Sequence, residues 1–140
     1  MILKASLALL TGSLCLGALD LRHAAIRLRP EASPIERKAA LMIAGEIEKR
    51  TQLRLTGTGE PAISIARGSG PADGFTLTTS ADSVEIRGND DRGVIFGAGY
   101  FLRQLRMSRQ TLEIPAGLHV TSAPKIAIRG HQLGYRPKTN

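Results

Sequence analysis

Hydrogen-bonding side chains are densest near the C-terminal end, where Arg129, His131, Gln132, Tyr135 and Arg136 fall within one short run. Arginine presents a planar fork that grips paired hydroxyls or a carboxylate, so the run has the make-up of a polar binding strand; a polar terminus or linker is the plainer reading. Asp90 and Asp91 form the second candidate, as a carboxylate pair for acid–base work or for a metal. Adjacent acids that open a helical pattern more simply serve as a cap and a dipole partner, and they are read here as structural. His23 and His119 sit on alternating, strand-like runs and read as surface or hydrogen-bonded strand residues rather than ligands. Cys15, the single cysteine, lies in the N-terminal apolar stretch, so a chain processed past it has no disulfide, zinc cluster or thiol nucleophile. Leu14 stands where a lipid-attachment cysteine would want a small residue. No metal and no cofactor is assigned. Gly88 to Gly93 is followed by Val94 instead of Lys, and Gly97-Ala98-Gly99 leads to Leu102 where a dinucleotide loop needs its third glycine.

The stretch Ser83–Arg106 is the centre around which the chain is organised. Val84 and Ile86 alternate with Glu85 and Arg87 as a half-buried strand, Gly88-Asn89-Asp90 turns, and a helix is expected over Asp91–Ser108. Its apolar stripe is Val94, Ala98, Phe101, Leu102 and Leu105. Glycine costs about 1 kcal/mol against alanine inside a helix, so Gly93, Gly97 and Gly99 call for a helix lying close on a sheet. Upstream, Ser33-Pro34-Ile35-Glu36 has the form of a capping box with proline at the first helical position. It predicts a helix over Pro34–Arg50 with Ile35, Ala39, Met42, Ile43 and Ile47 inward. Strands are expected over 20–29, 52–55, 62–66, 74–79, 84–86, 111–114 and 118–121, and from Ile126 onward. The fold class is therefore α+β, a mixed sheet of about six or seven strands with two helices packed on one face. A doubly wound dinucleotide fold is excluded.

With 42% apolar residues the 140-residue chain is globular, but aromatics are only 4% and tryptophan is absent, so no aromatic platform for stacking sugars is available. The net charge of +7 raises nucleic acid as a partner, yet the fourteen arginines are scattered, without interleaved aromatics, and nucleic-acid binding is not favoured. The last 38 residues carry seven bases against Glu113 alone, a basic end. Lys4 followed by apolar runs from Ala5 to Leu10 and Leu14 to Leu19 reads as a signal peptide over residues 1–18, with the mature start between Cys15 and Leu21. A run this short falls below the roughly 20 residues of a spanning helix. An exported protein, periplasmic or extracellular, with no stable membrane insertion after cleavage, is expected.

The order of short motifs carries a resemblance. Ile86, Gly88, Asp91, Gly93, Phe96, Gly97, Phe101, Leu102 and Leu105, then Ile114-Pro115, then Pro124 with Arg129-Gly130, resemble the small domain that precedes the barrel in family 20 beta-hexosaminidases and in alpha-glucuronidases. The match covers about 21–140. It implies an auxiliary domain over 20–124 and the start of a (β/α)₈ catalytic barrel over 125–140, with a carbohydrate substrate engaged through that barrel. In the families resembled, the position of Arg129 opens the first barrel strand and contacts the hydroxyls of the sugar, so Arg129 is the substrate-binding residue carried over. After Arg129-Gly130 the sequence departs from the usual hydrophobic residue and Asp, having His131-Gln132-Leu133 instead. Glycoside hydrolysis generally uses two carboxyls about 5–9.5 Å apart. No such pair is assigned here, and the chain alone is expected not to catalyse. The alternative is a stand-alone basic binding or scaffolding domain.

Overall fold

A computed structural model of the chain describes residues 17–55 and 58–126. In chain order the elements are β1 (Ala18–Asp20), β2 (Ala25–Arg27), α1 (Pro34–Thr51), β3 (Ala62–Arg67), β4 (Phe75–Thr79), β5 (Ser83–Gly88), α2 (Asp91–Gln104), β6 (Arg106–Ser108), β7 (Thr111–Pro115) and β8 (His119–Ser122). The class is α+β with two helices, as expected. The strands divide into two sheets, a five-stranded one in the order β2-β3-β5-β4-β8 and a three-stranded one in the order β1-β7-β6. In the larger sheet β2, β3 and β5 run parallel, while β4 and β8 are antiparallel additions. The smaller sheet is antiparallel throughout.

One core joins both sheets to the helices. Ile63, Ile65, Leu77, Val84 and Ile86 from the large sheet meet Ala39, Ile43 and Ile47 of α1 and Val94, Ala98 and Phe101 of α2, and Leu19, Leu21, Leu112 and Ile114 close it from the small sheet. Except for Leu21, just past the end of β1, these are period-2 or period-3.6 positions of their own elements, so burial selects the register of strand and helix together. Phe101 is the largest of the fully buried side chains, in keeping with a core built mostly from aliphatic residues.

Helix α1 begins where its sequence says it should. Ser33 caps it, Oγ accepting from Glu36 N–H, and Glu36 reaches back to accept from Ser33 N–H at 2.7 Å. It ends at Thr51 with Gln52 in the left-handed region (φ 61°), whose N–H donates to the Glu48 carbonyl. That turn leads into a loop, so the strand expected over 52–55 does not form. Thr51 takes part, its hydroxyl donating to Ile47 O and accepting from Leu53 N–H.

Two other expectations are corrected. The strand expected over 20–29 is two strands in different sheets: Leu21 turns fully inward, its N–H donating to Leu112 O and its carbonyl accepting from Ala24 N–H. The period-2 pattern ran through a turn that carries the chain from one sheet to the other. The helix expected over Asp91–Ser108 stops at Gln104, because Leu105 adopts φ −70°, ψ 135° and Arg106–Ser108 become β6. Leu105 remains apolar and buried, which keeps the helical pattern legible past the true end, but β6 pairs in register with Thr111 to Glu113 of β7.

Candidate docking face at the chain exit

Helix α2 is placed by its N-terminus and its glycines. Asp90 caps it, one carboxylate oxygen accepting from Gly93 N–H and the other from Asp73 N–H, both at 2.7 Å. These two backbone donors, Asp73 first, hold the Asp90 carboxyl below the ordinary range. Asp91 sits in the first turn and pairs with Arg67 at 3.1 Å. The cap-and-dipole reading of the two acids is what the geometry shows. Gly93 and Gly97 are buried: a β-carbon on Gly93 would collide with the Gly74 carbonyl oxygen, and one on Gly97 would lie 3.0 Å from Ile86 Cγ2 and 3.2 Å from Phe75 Cβ. Gly99 differs, with only Arg103 Nη1 at 3.7 Å.

The outward side of the helix pair carries two adjoining grooves. One, of about 460 Å³, is floored by Met42, Phe75, Ile95 and Gly99 and walled by Ser122, Ala123 and Pro124, where the chain leaves the last strand. The other, of about 620 Å³, lies between Glu46 and Arg50 of α1 and Leu102, Leu105 and Met107. Met42 and Arg103 line both, so the surface is continuous. Arg103 stacks over the Tyr100 ring at 5.5 Å and meets no carboxylate among the described residues. Phe96 is 38% exposed beside this groove, under the Arg92 guanidinium, and Ile126 is 67% exposed just beyond the exit. The sequence marked neither Phe96 nor Arg103 as surface anchors. The signal was present in their helical phase, which sets both off the inward stripe of Val94, Ala98 and Phe101.

The other face of the large sheet is polar. Thr76, Thr78, Glu85, Arg87 and His119 line a shallow depression there, with Thr78 Oγ1 and His119 Nδ1 3.1 Å apart and Arg87 paired to Glu85 at 2.7 Å. His119 is thus the hydrogen-bonded strand residue that was expected, and His23 is exposed. The scattered arginines are largely neutralised: Arg22, Arg27, Arg29, Arg50, Arg54, Arg67, Arg87 and Arg92 each pair with a carboxylate. Among the described residues no group of His, Cys, Asp or Glu is arranged to hold a metal, and no helix is long and apolar enough to cross a membrane. Arg129, His131, Gln132, Tyr135 and Arg136, and Cys15 at the other end, lie outside the described residues.

The most deeply buried carboxylate was only partly foreseen. Glu36, read as a capping residue, is 1% exposed and also accepts from the Arg29 guanidinium and from Arg67 N–H, each at 3.1 Å. Burial pushes its carboxyl up, but the Ser33 N–H and hydroxyl, Arg29 and the Arg67 N–H outweigh it and bring it down to about 2. Glu36 ties the start of α1 to the segment after β2 and to the end of β3.

Comparison with known proteins places this fold among carbohydrate-cleaving enzymes. No family model and no curated protein sequence matches the chain. Among solved structures it matches a glycoside hydrolase family 20 beta-N-acetylglucosaminidase at 27% identity and TM-score 0.55, over 74% of this chain and 19% of that one. The family 20 beta-N-acetylhexosaminidase from Streptomyces coelicolor A3(2) matches at 20% identity and TM-score 0.64, over 79% and 24%. A family 138 glycoside hydrolase targeting pectin rhamnogalacturonan II matches at 13% identity and TM-score 0.58, over 76% and 16%. This is the fold of an auxiliary domain of glycoside hydrolases. The chain spans about a quarter or less of the length of these enzymes, and the fit to family 20 beta-hexosaminidases is that of their N-terminal domain.

Proposed function

We propose that the chain is the non-catalytic auxiliary domain of an exported glycoside hydrolase, and that it works in one polypeptide with a (β/α)₈ barrel seated on the α1–α2 face. The observation that carries this reading is the fold match over three quarters of the chain to enzymes of which it covers only a small part. The groove walls support the docking geometry: Ala123 and Pro124 line the same apolar surface as Met42 and Ile95, so a domain following Ile126 emerges directly beside it. Asp20, through its bond from Arg22, and Glu36 and Asp90 are displaced downward, opposite to the raised pKa that a general acid for glycoside cleavage needs. The substrate is a carbohydrate held by the barrel. The matched enzymes range from beta-N-acetylglucosaminidase to pectin degradation, so the fold of this domain does not select the sugar. Arg129 is proposed to contact the sugar from the first barrel strand.

The test is the polypeptide encoded by the reading frame continuing past Asn140. It should hydrolyse a chromogenic terminal hexosaminide or glucuronide, with kcat/KM about 10–100-fold lower for Arg129→Ala, while residues 1–140 alone should hydrolyse neither. Gly99→Leu should leave the melting temperature of the 140-residue chain level or raised, yet lower that of the longer protein by filling the groove. A frame that ends at Asn140 would replace this reading with a stand-alone binding or scaffolding domain, and hydrolysis by the 140 residues alone would overturn it by placing an active site within them.

A further inference from the structure

Arg103 stands where the two grooves of the α1–α2 face join, since it lines both. Its guanidinium lies over the Tyr100 ring, and that ring is 5.3 Å from the ring of Phe75 on the groove floor. On the helix side it passes 3.7 Å from where a β-carbon on Gly99 would sit. Stacking uses the flat face of a guanidinium and leaves its N–H donors for another group. The acids that share the grooves are already engaged, Glu46 with Arg50 at 2.5 Å and Asp73 with Arg92 at 3.3 Å. Arg103 is therefore the charge that the grooves leave uncompensated among the described residues.

In the domain alone Arg103 is exposed and water serves its donors. A second domain laid over the grooves excludes that water, and burying a guanidinium without a partner is strongly unfavourable. The chain leaves β8 along the groove wall at Ser122, Ala123 and Pro124, and the fold covers only 19% and 24% of the matched family 20 enzymes, so the occupant belongs to the same polypeptide. Resting on the docking reading made above, we infer that the barrel sets a carboxylate against Arg103 and apolar side chains into the grooves on either side of it. The planar fork of Arg103 takes that carboxylate through two parallel bonds. It also fixes the register of docking, because a shifted barrel would strand one charge against Met42, Ile95 and Leu102.

The test is limited proteolysis of the longer polypeptide at the boundary after Ile126, which reads how often its two parts separate. Arg103→Met keeps an apolar stem and removes the charge, and boundary cleavage should become about tenfold faster or more. Arg103→Glu should be cleaved faster still, because like charges then meet. Neither substitution should move the melting temperature of the 140-residue chain, where Arg103 is exposed. Cleavage of Arg103→Met no faster than wild type, cleavage of Arg103→Glu no faster than Arg103→Met, or an equal loss in the 140-residue chain would overturn the carboxylate contact. Docking itself still stands in each of those cases if Gly99→Leu lowers the melting temperature of the longer protein. If Gly99→Leu and both Arg103 variants leave the longer protein unchanged, the docking reading falls with the contact.

Discussion

Helices α1 and α2 lie on the same face of the large sheet and are secured by different means. The N-terminal end of α1 is anchored by a carboxylate: Glu36 collects hydrogen bonds from Ser33, Arg29 and Arg67 and draws three segments together. Along its length α1 tolerates open space, with Gly45 facing no atom within 4 Å and Leu41 74% exposed. Helix α2 is anchored by proximity, its backbone brought against Gly74 and β5 at positions where only hydrogen atoms fit. The same residue type therefore has opposite meanings at different positions. Gly93 and Gly97 on the inward side of α2 are a packing surface, whereas Gly45 in α1, like Gly99 on the outer side of α2, is unused helix propensity.

Substitutions break this contrast in order of size. Gly93→Ala should destabilise by about 3 kcal/mol or more, because the added methyl meets a backbone carbonyl that cannot swing aside; a denaturant midpoint measures it. Glu36→Ala should cost about 2–3 kcal/mol, and Glu36 also sets a pH signature. Its folded-state carboxyl is at about 2 against an ordinary 4.5, so its stabilisation is complete above the unfolded value and is lost as pH falls from about 4.5 towards about 2. In Glu36→Gln the acid-unfolding curve should be flatter across that window. Gly97→Leu should destabilise by about 1–3 kcal/mol through overpacking against Ile86 and Phe75. The smallest change has the opposite sign: Gly45→Ala should stabilise by about 1 kcal/mol, read as a raised melting temperature. A loss at Gly45 equal to the loss at Gly93 would erase the distinction between the helices.

The contrast also explains what could be read in advance. Local signals were legible: Ser33, Pro34 and Glu36 announced the start of α1, and Gly93 and Gly97 announced a close approach. What failed was decided by partners distant in sequence. Arg106–Ser108 continue a helical apolar pattern from Leu105, and only pairing with Thr111–Glu113 makes them a strand. Residues 20–29 alternate well enough to pass for one strand, yet Leu112 captures Leu21 and Pro61 O accepts from Ala25 N–H, so two sheets share the segment. The long-range bonds of Glu36 to Arg29 and Arg67 leave no trace in the capping motif. The docking face was half visible, since the helical phase of Phe96 and Arg103 is in the sequence but the path of Ser122–Pro124 alongside them is not.

The pairing of β1 with β7 also governs the order in which the domain can complete itself. The first strand of the fold finds its hydrogen-bonding partner only when Glu113–Pro115 are present, after both helices and most of the large sheet. Closing so wide a loop is entropically slow, and local elements such as α1 and the β4–β5 hairpin form far sooner. A polypeptide that emerges N-terminus first therefore has β1 waiting, its edge unsatisfied until β7 has followed. Small sheet closure then becomes the late step of folding, and a chaperone holding the N-terminal end until β7 emerges would act on the segment with most to gain from delay.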